Sequence, residues 1–462
     1  MTIWRPERGA LKRPAYRSLA QSLIGAIESG ELQPGDRLPT HRELAFDLGL
    51  SVQTISRAYE ELVRLDIVTG EVGRGTFVRA GPVETRTPYH RLGGDEDVID
   101  CSMLTPVIGA IHSTRMSATM AELAQAAPEG ALFSFRPGQT MRPHRDSGAR
   151  WLARCGVDAQ PDRILPTNGA TAAMTVALMT AASPGDLVLS EEIGHHTLRP
   201  LARYLGLRIG ALASDEDGIA PDSFAHACAA NPVKAIYVMP NGLNPTATTM
   251  SADRRAALVE IARAHDILIV ENDAWGPLQP ERPRPIAALA PERTLYFTGF
   301  SKCLLPGLRA AYLVAPEALV AAATNRHLVT NWMATPLMFE IASSWIADGT
   351  AAALLRWQQR ALGRRNRIAA EMLEGLPFRA SPNGLHVWTP LPEGWSEGAF
   401  VAHARLNGVA VAAGSAFAIS DRAASAGVRI CLGGPAEAAL RRGLETVAEL
   451  LRGEPDPGIP VI

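Results

Sequence analysis

No apolar stretch of this 462-residue chain reaches the ~18 residues of a membrane-spanning helix before charge or proline interrupts it, so no span is expected. The start, Met1-Thr-Ile-Trp-Arg-Pro-Glu-Arg8, lacks the apolar core of a secretory signal, and no signal peptide is expected. There is no C-x-x-C pair. Cys101, Cys155, Cys228, Cys303 and Cys431 are scattered, which reads as reduced, mostly buried thiols in a cytoplasmic protein. An excess of one charge is missing too: 45 Lys and Arg face 47 Asp and Glu. The balance of −2 gives no global pull toward nucleic acid or acidic lipid, so any DNA contact must come from a local basic surface. Internal repeats and low-complexity tracts are absent. What remains is an ordinary globular composition, 47% hydrophobic and 20% charged, long enough for roughly two to four domains.

The most informative run is Thr298-Gly-Phe-Ser-Lys-Cys-Leu-Leu-Pro-Gly-Leu-Arg309. It follows Leu295-Tyr-Phe-Thr298, which reads as a short buried strand. Lysine is the side chain that condenses with an aldehyde, and arginine clamps phosphate through two N–H groups. Lys302 at a strand end, with Ser301 before it and Arg309 seven positions on, suits a cofactor carrying both an aldehyde and a phosphate.

The first 80 residues follow another pattern. Tyr16, Leu19, Ala20, Leu23, Ile24 and Ile27 recur at helical spacing, predicting a helix over about 14–29 that stops at Ser29-Gly30. Thr40 with Glu43 forms a capping box for a second helix ending at Gly49. Ser51 caps a third, with Ile55, Ala58, Tyr59, Leu62 and Leu65 on one face. Two short β-prone runs around Gly73-Arg-Gly75 then read as a hairpin, or wing. Leu38-Pro-Thr-His-Arg-Glu-Leu-Ala45, Leu48-Gly-Leu-Ser51, Ala58-Tyr-Glu-Glu-Leu62 and Gly73-Arg-Gly-Thr-Phe-Val78 resemble, in order and spacing, the winged helix of GntR-type transcriptional regulators. That resemblance implies that Arg42, Ser51, Gln53, Thr54, Ser56, Arg57, Arg74 and Gly75 face double-stranded DNA. The family's usual Arg after the helix-capping Ser is Val52 here, so the bases read should differ from the common pattern.

A domain over 1–79, a linker over 80–97 and a second domain over 98–455 are expected, because Arg79 to Pro88 carries Pro, Gly and Thr without hydrophobic period. In the second domain, strands at 164–167, 187–190, 235–239, 267–270 and 295–298 alternate with helical stretches, predicting a mostly parallel α/β sheet with the site at its strand ends. From about 330 a long helical region (337–375) leads into a smaller α+β lobe; the large lobe covers about 150–330.

The order of motifs resembles fold-type I pyridoxal-phosphate aminotransferases, the branch similar to aminoadipate and kynurenine aminotransferases. The resemblance implies Lys302 as the aldimine lysine, with Ser301 and Arg309 on the phosphate and Gly169, Ala170 and Thr171 as the phosphate loop. Glu192-Ile-Gly-His195 puts His195, or His196 if the register slips, where an aromatic ring stacks on the pyridine. Asn244 would donate to the ring oxygen, and Arg429 would pair with a substrate carboxylate. The family's Asp for the pyridine nitrogen is Asn272, with Asp273 beside it, and its Tyr is Trp275. Adjacent strand residues face opposite ways, so Asp273 could reach only through a bulge or an early strand end. A winged helix followed by such a domain is the MocR-type architecture. It implies a homodimer in which an amine or amino-acid effector displaces Lys302 as an external aldimine, pairs with Arg429 and alters promoter binding. The alternative is a working aminotransferase carrying a DNA-binding head.

Overall fold

The computed structural model describes residues 15–28, 31–32, 35–64, 67–71, 75–78, 98–126, 128–420 and 426–453. The expected linker over 80–97, the Ser29-Gly30 helix stop and the wing-tip Arg74 lie outside them. The chain divides into two compact units between Gly94 and Asp95.

The first unit packs helices α1 (Ala15–Glu28), α2 (His41–Leu48) and α3 (Val52–Arg64) around Leu19, Leu23, Leu44, Leu48, Ile55 and Leu62, all buried. Local chemistry sets the boundaries. Thr40 Oγ1 accepts the Glu43 N–H at 3.3 Å, and Glu43 Oε2 accepts the Thr40 N–H at 2.9 Å, satisfying two otherwise orphaned donors. Gly49 ends α2 in the left-handed region, φ 59°, where a side chain would be strained. Ser51 Oγ then accepts the Thr54 N–H at 3.1 Å to open α3. The buried Tyr59 hydroxyl donates to Pro39 O at 2.8 Å, locking α3 against the entry to α2. Strands β1 (Val68–Glu71) and β2 (Gly75–Val78) pair antiparallel as the wing, with Val68 opposite Val78.

The second unit is organised by a seven-stranded sheet of β3 (Ile164–Thr167), β4 (Leu187–Glu191), β5 (Arg208–Leu212), β6 (Val233–Val238), β7 (Leu268–Asn272), β8 (Thr294–Gly299) and β9 (Ala311–Val314). The spatial order is β3-β9-β8-β7-β6-β4-β5, with β9 alone antiparallel to its neighbours. Both faces are covered. Helix α4 (Ala170–Ala181) packs Ala173, Met174, Val176 and Ala177 with Tyr237, Val270, Leu295 and Phe297. Ile236, Val238 and Ile269 point the other way, against Leu258 and Val259 of helix α5 (Ala252–Ala264). The central strands are consequently largely apolar, as expected of parallel strands buried on two sides. The expected helical region over 337–375 is two helices, α6 (Pro336–Ala347) and α7 (Thr350–Met372), because Gly349 turns left-handed at φ 84°. The smaller lobe carries a four-stranded antiparallel sheet with strands β10 (His386–Pro390) and β11 (Gly427–Cys431) at its centre.

Replacing Thr40 with Ala removes one cap. Amide exchange across 41–48 should quicken about fivefold, the equivalent of ~1 kcal/mol, while exchange in 268–272 stays unchanged. Hydrogen-exchange mass spectrometry of the full chain measures both; unchanged exchange in α2 would show that the box does not hold the helix.

Candidate functional site

The geometry begins with Arg429. It lies in β11, paired with Trp388 of β10, and is fully buried. Its Nη1 donates to Asn244 Oδ1 at 2.7 Å, its Nη2 to Ser102 O, and its guanidinium sits 4.7 Å over the Phe417 ring. Nε has no partner, and among the described residues no carboxylate pairs with this cation. A buried charge without a counter-ion is costly by several kcal/mol, so the position calls for an anion.

Lys302 follows β8, and its Nζ donates to Leu104 O. Burial holds its amine down at about 8, helped by the nearby Arg429 and Arg309 charges. His195 belongs to the same group. Its ring stacks on His196 at 4.7 Å and 25°, and its Nδ1 meets Thr197 Oγ1 at 2.8 Å. Burial, then Lys302 and Arg429, hold His195 at about 4, so the ring is neutral near neutral pH.

An anion cradle stands beside the lysine. Gly169 turns at φ 83°, and α4 starts at Ala170 with no side-chain cap, leaving its first N–H groups open. Arg309, itself at φ 44°, reaches back so closely that a Cβ on Gly169 would stand 2.6 Å from its Nη2. Arg309 Nη1 donates to Ser301 Oγ at 3.4 Å. Asn168 braces this loop: its Oδ1 accepts the Thr335 N–H at 2.9 Å and its Nδ2 donates to Met333 O at 3.3 Å. Thr171 is exposed at the rim.

The Asn272-Asp273 ambiguity resolves by alternation along β7. Asn272 pairs with Phe297 and shares the α4 face with Val270 and Tyr237. Its Nδ2 donates to the Tyr237 hydroxyl at 2.7 Å, and its Oδ1 accepts the Ala274 N–H at 3.1 Å. There is no bulge: the Asp273 N–H continues the ladder to Phe297 O at 2.9 Å, which turns its side chain to the opposite face. There its carboxylate accepts from Asn241 Nδ2 at 2.6 Å, Tyr296 OH at 2.8 Å and Arg282 Nη2 at 3.2 Å. Trp275 is also committed elsewhere. Its indole N–H goes to Asn241 O at 2.8 Å and Gly242 O at 3.2 Å, so it is not a free donor to a ligand.

The orphaned Arg429 Nε, the Gly169–Arg309 cradle and the desolvated Lys302 amine therefore fit a group that carries a phosphate and an aldehyde and binds a carboxylate-bearing partner. Of the residues singled out in the sequence, Lys302, His195, Asn244, Arg429, Arg309, Ser301, Gly169 and Ala170 come together; Asn272 is held at the end of β7 by Tyr237 and Ala274, and Asp273 and Trp275 are bonded elsewhere. Sequence reasoning missed Ser102 and Leu104, whose contributions are backbone carbonyls, and Phe417 beneath the guanidinium.

In the first unit, Arg42, Ser51, Gln53 and Arg57 are exposed around the start of α3, and Val52 is 48% exposed among them. Ser51 Oγ shares a hydrogen with Thr54 Oγ1 at 2.8 Å, Ser56 Oγ donates to Glu60 at 3.3 Å, and the Arg57 guanidinium sits 4.7 Å over Tyr16. At the wing, Gly75 adopts φ 119°, and a Cβ there would lie 2.7 Å from Arg37 Nε. Arg37, bridged to Phe77, is a basic residue of this surface that sequence motifs did not single out.

Two family descriptions match the chain: "Bacterial regulatory proteins, gntR family" over residues 15–78, and "Aminotransferase class I and II" over residues 112–447. The uncharacterized HTH-type transcriptional regulator YdeF of Bacillus subtilis is 27% identical, over 97% of this chain and 96% of its own. The HTH-type pyridoxine biosynthesis transcriptional regulator PdxR of Corynebacterium glutamicum is 26% identical, over 80% of this chain and 81% of its own. Pyrococcus horikoshii kynurenine aminotransferase, solved with PMP, is similar in fold, with a TM-score of 0.71 at 22% identity over 78% of this chain and 91% of that one. The chain thus belongs to the aminotransferase class I and II family, which implies pyridoxal phosphate as cofactor, and with its gntR-family head is a MocR-type DNA-binding transcriptional regulator.

Proposed function

We propose that the second unit senses an amine, most simply an amino acid, and that its occupancy changes how the heads of a homodimer hold promoter DNA in the cytoplasm, at the nucleoid. The observation that carries this reading is the buried Arg429 guanidinium, without a carboxylate among the described residues, whose charge acts on the desolvated Lys302 amine. When bound, pyridoxal phosphate supplies an aldehyde that condenses with amines and a ring that draws electrons.

The chain's own groups have distinct tasks in this reading. The open N–H groups of α4, Arg309 and Ser301 would hold the phosphate. Lys302, with its amine held at about 8, offers a neutral nitrogen over much more of the physiological range than an exposed lysine does. His195, neutral, would supply an aromatic face to the ring. Asn244 already accepts from Arg429 through Oδ1 and has its Nδ2 hydrogens for the ring oxygen. An effector carboxylate takes the Arg429 N–H that now goes to Ser102 O, a two-pronged pairing stronger than the one it replaces. Ser102 and Leu104 follow the segment that leads from the head, so their release is a direct way to pass occupancy along the chain. The effector can bias the heads only by its difference in affinity for the two states, about 1–3 kcal/mol in typical allostery.

The working-aminotransferase alternative uses the same lysine and the same clamp. Multiple turnovers with an amino acid and a keto acid would establish it; a spectral change and altered promoter binding without turnover support the sensor. DNA taken from upstream of the chain's own coding sequence is the probe.

Lys302→Ala should lose the absorbance of the lysine-bound cofactor and all response to amines while still binding that DNA. A normal cofactor spectrum in this variant would overturn the lysine assignment. Arg429→Ala should keep the cofactor but weaken amino acids relative to amines lacking a carboxylate by roughly 10- to 100-fold, the size of a lost charge-assisted pair; equal weakening of both would show that Arg429 does not read the carboxylate. The rate of cofactor attachment to the apoprotein should climb about tenfold per pH unit below 8 and level off above it, because only the neutral amine attacks. A climb that continues toward 10.5, the value of an exposed lysine, would contradict the desolvated amine.

A further inference from the structure

We infer that this chain meets the pyridine nitrogen of its cofactor with the Asn272 carboxamide instead of a carboxylate, which leaves that nitrogen unprotonated; the inference rests on the cofactor reading above. The argument is one of elimination. A carboxylate beside the ring nitrogen keeps a proton on it, and that proton makes the ring an electron sink. Among the described residues the buried acids are Glu191, Glu271 and Asp273. Glu191 accepts from Ser190 Oγ at 2.9 Å and from the Met239 N–H at 3.2 Å. Glu271 accepts the Ile286 and Ala287 N–H groups at 3.0 and 2.7 Å, on the face away from α4. Asp273, on that same face, is taken by Asn241, Tyr296 and Arg282.

Asn272 is what the end of β7 presents on the α4 face, next to the strand that leads to Lys302. The orientation of its amide is fixed from both ends. The Ala274 N–H claims the oxygen, and the Tyr237 oxygen takes one of the two Nδ2 hydrogens. The hydrogen left over is a donor. A donor complements the lone pair of a neutral pyridine nitrogen and opposes a protonated one. Tyr237 adds no charge, because burial raises its phenol well above the ordinary value. Condensation with an amine needs only the aldehyde, whereas removal of the Cα proton needs the ring as a sink. A ring without its proton favours capture of the amine over its conversion.

The test is the nitrogen resonance of pyridoxal phosphate labelled with nitrogen-15 at the ring and bound to the full chain, referenced to the free cofactor in acid and in base. The inference predicts the neutral-pyridine position for the wild-type protein at neutral pH. It also predicts a move toward the pyridinium position in Asn272→Asp, which restores the carboxylate. A pyridinium resonance in the wild type would overturn the inference and leave the cofactor reading standing. Label that washes off on desalting would overturn both. If Asn272→Asp does not fold, the wild-type resonance decides alone. A second readout needs no variant: an amino acid held by the wild-type protein in deuterated water should keep its Cα hydrogen, and rapid loss of that hydrogen would count against the unprotonated ring.

Discussion

A guanidinium shut away from water, with no counter-ion among the described residues, is the constraint on which the rest of this site depends. Arg429 makes do with a carboxamide, a backbone carbonyl and an aromatic face. Each of these softens the cost of the buried charge, and none cancels it. The same charge helps to lower the Lys302 amine to about 8 and to hold His195 neutral. An arriving carboxylate therefore does more than occupy a subsite. It offsets part of the field that lowers the lysine's pKa, and it competes with Ser102 for the arginine. Binding, protonation and the position of the 102–104 segment are linked through one side chain.

The sheet supplies the second constraint. Its central strands are largely apolar, the site residues lie at or beyond their C-terminal ends, and alternation decides which of them meet a ligand. At the end of β7 this places Asn272 on one face and Asp273 on the other, two neighbours with opposite fates. Asp273 helps to hold the 241–242 loop and Arg282, a structural ion pair with hydrogen bonds on both oxygens. Asn272 is held by Tyr237 and Ala274. The chain keeps a negative charge within one residue of the site and yet directs it away.

Much of this was legible in the sequence where the signal is local. The Thr40–Glu43 capping box, the Ser51 cap and the Gly49 stop are interactions among residues three or four apart, and they occur as read. The alternation of strands and helices was legible for the same reason. Other features depend on distant segments. The sequence left the choice between Asn272 and Asp273 open because Tyr296, Arg282 and Asn241 settle it from other strands and loops. The indole N–H of Trp275 is claimed by two carbonyls over thirty residues away. Ser102 and Leu104 act through backbone oxygens, which every residue possesses and no motif records. The region over 337–375 reads as one helix by composition, and only the left-handed turn at Gly349 divides it.

The central claim is that occupancy of the Lys302–Arg429 site and DNA binding by the head are coupled. Linkage makes that claim reciprocal: whatever factor an amino acid imposes on DNA affinity, DNA must impose on the affinity for that amino acid. The most direct measurement is calorimetric titration of the cofactor-loaded protein with an amino acid that alters its spectrum, with and without the DNA upstream of its own coding sequence. The account predicts two dissociation constants that differ by about 5- to 150-fold, matched by the change in DNA affinity measured in the reverse titration. Equal constants with and without DNA would contradict it.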